Sequence, residues 1–116
     1  MANTLTLVSA VNQREQFSGA FTDMWKVRAT IDDTDSITAT DSLEMTVTVP
    51  GVVLGDMVIG CSLNMDYNDG TDSADIQALV SAANTVQLKI TADVGAFAAD
   101  ALNTAIVRIL VGRPAW

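Results

Sequence analysis

The residues best equipped for chemistry in this chain are acids. Among 116 residues the acidic side chains number 14, all Asp except Glu15 and Glu44, against 6 Lys and Arg and no His, for a net charge of −8. Two stretches concentrate them: Asp32, Asp33, Asp35 and Asp41, then Asp66, Asp69, Asp72 and Asp75. Carboxylate oxygens at alternate positions around a turn are what a calcium ion takes. Counted from Asn64, however, Asp75 fills the twelfth place with a side chain shorter than the required Glu, and Gly70 stands seventh where the sharp turn needs a sixth-place glycine. Both stretches read as solvated turns whose Asp and Asn side chains bond their own backbone, and no metal is predicted. Paired carboxylates also act as acid and base in glycoside cleavage. Nothing in the spacing singles out one pair for that work.

The absence of histidine removes the commonest general base, the commonest zinc ligand and every Ser-His or Cys-His nucleophile pair. No glycine-rich phosphate loop or nucleophile elbow is present. Cys61 has no neighbouring cation in sequence to lower its pKa, falls on an apolar parity and reads as a small buried hydrophobe. The residues therefore predict a protein that is not an enzyme and needs no cofactor. Six scattered cations on a chain of net charge −8 are poorly suited to a phosphate backbone, so no nucleic acid is expected as partner, and anionic membranes repel such a chain. The first residues interleave Thr with Leu and lack a basic start, unlike a secretory signal, and no apolar run approaches the ~18 residues a membrane helix needs.

The elements that must carry these side chains alternate apolar and polar residues with a period of two. Leu43, Met45, Val47 and Val49 form one buried set, ending at Pro50-Gly51. Residues 25–31 repeat the scheme with Lys26, Arg28 and Thr30 outward, and residues 86–91 repeat it again. In residues 105–111, Val107, Ile109 and Val111 share one face, while Arg108 stands between Ile106 and Leu110 on the other. Met57, Ile59, Cys61, Leu63 and Met65 share a parity that predicts a common inward face. Residues 4–11 fit a first strand or an extended arm. Residues 73–84 fit both a helical face and a strand, and residues 92–105 read as a loop with a helical turn. Short extended segments divided by Asp, Asn, Gly and Pro predict one all-β domain over residues 1–116. Its expected architecture is a single-domain antiparallel β-sandwich with jelly-roll or Greek-key connections. Lys26, Arg28, Lys89 and Arg108 fall in strands while most acids fall in loops. That division has two readings of equal standing: cross-strand pairs with neighbours such as Glu44, or a basic sheet face that meets an acidic loop of another subunit.

Pro50-Gly51-Val52-Val53-Leu54-Gly55-Asp56, then a strand, then Leu79-Val80-Ser81-Ala82-Ala83-Asn84-Thr85-Val86 and a last apolar strand make a longer pattern. It resembles small virion proteins of tailed bacteriophages, above all the capsid decoration, or cement, proteins. The resemblance covers roughly residues 43–111, turns residues 76–81 into a strand, and is broken by the long acidic stretch 66–75. It implies a structural, non-enzymatic β-sandwich that forms a homotrimer on the outer surface of the capsid and locks neighbouring subunits of the major capsid protein together. Terminal segments are the expected contacts: Thr4, Leu5, Thr6, Leu7 and Val8 at one end, Arg113, Pro114 and Trp116 at the other, since such segments add strands to a neighbour's sheet. Trp116 is expected to fold back on its own domain. The alternative is a trimeric tail or fibre domain that recognises a surface glycan. It wants exposed aromatics, and the pattern assigns Trp25 to the core.

Overall fold

The computed structural model describes residues 3–13, 20–32, 36–38, 40–65, 73–97 and 101–116. Most of the acidic positions weighed for calcium, at 33–35 and 66–72, lie outside these. Seven strands follow one another: β1 (Thr4–Gln13), β2 (Phe21–Asp32), β3 (Ser42–Thr48), β4 (Met57–Leu63), β5 (Ser73–Ala82), β6 (Thr85–Val94) and β7 (Ile106–Pro114). They form two antiparallel sheets, β1-β2-β7-β4 and β3-β6-β5. The pairing is nested: β2 takes β7, β3 takes β6, and β4 meets β5 across the edge of the two sheets. This is the rolled-up double ribbon of a jelly roll, so the expected all-β sandwich is the observed fold.

Each inner face is the apolar half of an alternating strand. Trp25, Val27, Ala29 and Ile31 of β2 and Val107, Ile109 and Val111 of β7 face Leu43, Met45 and Val47 of β3 and Val86, Leu88 and Ile90 of β6 in one continuous core. Burying an aliphatic side chain of this size contributes about 1.5–3 kcal/mol, so the alternation itself selects which face turns inward. Residues 4–11 belong to a strand paired with β2, and Leu5 reaches the core. The segment that fitted both helix and strand is strand β5, because the periodicity-two set Ala74, Ile76, Ala78 and Val80 pairs with the apolar set Ala92, Ile90, Leu88 and Val86 of β6 on the same inner face.

Two expectations need correction. The strand Met57–Leu63 does not keep one parity: its register with β7 shifts between Val58 and Gly60. A bulge adds one residue and reverses every side chain before it. Val58, Cys61 and Leu63 therefore pack against the core, whereas Met57 and Ile59 are exposed. Second, the segment 92–105 begins as strand, since β6 runs on to Val94, and Phe97 then bridges to Ile37. Its described remainder is turn, with Thr104 in the left-handed region (φ 68°) and its amide donating to the Ile31 carbonyl.

Two turns carry the chain from β3 back to β4. Val49–Val52 and Val53–Asp56 each place glycine third, Gly51 at φ 98° and Gly55 at φ 100°, as the second type of β-turn demands. The β5–β6 hairpin closes on Asn84 in the left-handed region (φ 60°), and that residue ties hairpin to crossover. Its side-chain oxygen accepts from the Gly51 amide at 2.9 Å, and its own amide donates to the Val52 carbonyl at 2.7 Å.

Candidate functional site

Arg113 is the most connected of the residues expected at a contact surface, and its partners are all its own chain. Its Nε and Nη2 donate to the two oxygens of Asp56, each at 3.0 Å, and Nη2 also donates to the Gly51 carbonyl at 2.7 Å. The guanidinium lies 5.1 Å from the ring centroid of Trp25 and 3.7 Å from an oxygen of Asp23. The Asp56 side chain is only 2% exposed and also accepts from the Val53 amide at 2.9 Å. The Asp56 hydrogen bond foremost, and the charges of Asp56 and Asp23 with it, hold the Arg113 pKa above its ordinary value against partial desolvation. This cluster fastens β7 and β2 to the β3–β4 turns, and it is structural.

The C-terminal segment is accordingly not a free tail. Gly112, Arg113 and Pro114 belong to β7, and Pro114 pairs with Phe21. The Ala115 amide donates to the Ala20 carbonyl. Trp116 does not fold into the domain: it is 80% exposed and only tilts against Phe21, with ring centroids 6.0 Å apart. A side chain on Gly112 would meet the Phe21 ring at 2.6 Å and Ile59 at 3.0 Å, so this glycine lets those two close over the sheet.

The other expected contact set, Thr4, Leu5, Thr6, Leu7 and Val8, lies at the opposite end of the same sheet. Thr4 pairs with Asp32, whereas Arg113 pairs with Asp23, nine residues away along β2 and hence ~30 Å distant. The structure does not bring the two sets together. Leu5 is buried, Thr6 donates to an Asp32 oxygen at 2.8 Å, and Leu7 and Val8 are exposed beside the register shift between Leu7 and Ser9. β1 is an edge of its sheet, ten residues long, with no charged residue and no proline. Natural edge strands are usually blunted by such residues, although the bulge at Val8 is one such device.

Strand register reveals a surface that the sequence could not. On the outer face of the four-stranded sheet, Ser9, Arg28, Arg108 and Ser62 stand in one cross-strand row, because Ser9 pairs with Arg28, Arg28 with Arg108 and Arg108 with Ser62. One pleat away the row is Val11, Lys26, Leu110 and Gly60. These rows line an open basin of about 620 Å³. Among the described residues Lys26, Arg28 and Arg108 have no ion pair or hydrogen-bond partner for their side chains. Lys89, on the outer face of the other sheet, stands directly opposite Glu44. The expected cross-strand compensation thus has its counterpart on one sheet, while the other carries a basic face with no acid paired to it among the described residues.

Cys61 packs against the core beneath this basin, and burial pushes its thiol from 9.0 up to about 11, which keeps it protonated and unreactive near neutrality. Among the described residues no group of three acids, cysteines or histidines is placed to hold a metal ion. No helix is long and apolar enough to cross a membrane. Comparison with protein-family models, with curated proteins and with solved structures finds no match.

Proposed function

We propose that this chain is a structural virion protein that decorates a tailed-bacteriophage capsid, docking as a homotrimer on the outer surface and bridging neighbouring major capsid subunits. The observation that carries the reading is the ten-residue uncharged edge of β1 with Leu7, Val8 and Val11 exposed along it. An open edge of this kind offers unpaired backbone donors and acceptors to a strand of a neighbouring subunit, with apolar side chains to register it. The residue pattern 43–111 supports it, as does the sandwich fold. A trimer matches the threefold and quasi-threefold positions of an icosahedral shell. Binding only the expanded lattice stabilises that lattice by mass action.

The test is a point change on the edge, since deleting the strand would also remove Leu5 from the core. Val8→Lys places a charge on the exposed edge and leaves the core intact. Shell binding, measured by co-sedimentation with expanded capsids, is expected to fall about tenfold or more while the thermal midpoint stays put. Undiminished binding by the folded variant would remove β1 as the docking element. Electron microscopy of intact particles tests the location: regular density over the capsid supports decoration, and density at the tail tip supports the receptor-binding alternative.

A further inference from the structure

Arg28 and Arg108 are cross-strand partners on one face. Like charges directly opposite each other destabilise a sheet. Among the described residues no acid offsets them; Asp32, at the end of the face, is four residues from Arg28 along β2, ~13 Å away, and is held by Thr6. Side by side, the two charges cost the fold stability rather than adding to it through their charge. Hydroxyls flank it on both sides, Ser9 from β1 and Ser62 from β4, and Lys26 adds a third cation one pleat along, ~7 Å away. Gly60 has nothing within 4 Å of where its side chain would stand, which leaves the β4 side of the basin open. Val11 and Leu110 supply an apolar flank on the Lys26 row.

We infer that the outer face of the four-stranded sheet binds a small ligand through a compact oxyanion, a carboxylate or a phosphate or sulfate ester. Arg28 and Arg108 grip the oxyanion with their paired guanidinium forks, Ser9 and Ser62 donate from either side, and Lys26 meets a second polar or anionic group. The basin of about 620 Å³ is in the size range of small-molecule sites. The charge of the whole chain sets the size of the ligand. An extended polyanion would run beyond the three cations into the field of a molecule of net charge −8, whereas a short one stays within about one Debye length, ~10 Å, of them. This inference does not rest on the capsid reading, and either can fail alone.

The experiment is a titration of the isotope-labelled full chain at low ionic strength, followed by amide chemical shifts, with citrate, glucuronate and inorganic phosphate as separate probes. Saturable shifts confined to the neighbourhood of Ser9, Arg28, Ser62 and Arg108 are expected from at least one probe. Affinity should weaken about tenfold in Arg28→Gln and in Arg108→Gln and be unchanged in Lys89→Gln. A response to the carboxylates alone or to phosphate alone identifies the oxyanion. Shifts that rise without saturating, that appear equally around Lys89, or that survive both glutamine variants would overturn the site. Binding of an Asp-rich peptide where none of the three probes binds would also overturn it, assigning the face to an acidic protein partner.

Discussion

Arg113 shows how little a side chain's position in the chain says about what it touches within the fold. By its place near the C-terminus it reads as part of a terminal segment that could add to a neighbour's sheet. In the folded chain it is spent on Asp56, Gly51, Trp25 and Asp23. The consequence is energetic. Asp56→Ala removes a buried carboxylate, takes two hydrogen bonds from the Arg113 guanidinium and leaves the Val53 amide without its acceptor, and should lower unfolding free energy by about 2–4 kcal/mol in urea titration. Arg113→Lys keeps the charge but loses the two-pronged grip and the flat contact with Trp25, and should cost about half as much. A variant of Asp56 as stable as the parent would mean that the turns hold without the clamp. The residue types in this cluster were all visible in sequence. Their meeting was not, because Asp56 and Arg113 are 57 residues apart and depend on a strand order that periodicity does not encode.

At the scale of the element, alternation located most strands and their buried faces, and it failed where a strand carries one residue too many. Trp25, Val27 and Ile31 are buried as the pattern requires. Ile59 is not, because nothing in the run Met57–Leu63 announces the shift between Val58 and Gly60. The same blindness hid the basic row, since the shift between Leu7 and Ser9 decides that Ser9, and not Val8, lies beside Arg28. Substitution separates the two parities. Val58→Ser should cost about 2 kcal/mol, as a polar group replaces one packed on the core, whereas Ile59→Ser should cost less than about 1 kcal/mol. Equal losses at the two sites would mean that the bulge does not exist in solution. The ambiguous segment that became β5 had the opposite problem. Its own residues fitted two periods, and β6 selected between them.

For the whole molecule, the net charge of −8 conceals an asymmetry between two sheets. One outer face balances Lys89 against Glu44, and the other sets Arg28 against Arg108. Stability and binding should therefore trade against each other at a single position. Arg28→Gln should raise unfolding free energy by about 0.2–1 kcal/mol at low salt by removing the like-charge pair, and the gain should shrink as salt screens it. A loss of stability would show that Arg28 has a compensating partner in the fold. The nested pairing of the strands has a consequence for how the molecule comes into being. β7 is the last strand in the order of the chain, yet it is an interior strand of its sheet and pairs with both β2 and β4. Until residues 106–114 leave the ribosome, those two strands have no partner between them, while the β5–β6 hairpin can already close. A chain whose synthesis stops before residue 106 therefore lacks the strand that joins them, and the sheet that carries the β1 edge and the arginine row is completed only once residues 106–114 have been made.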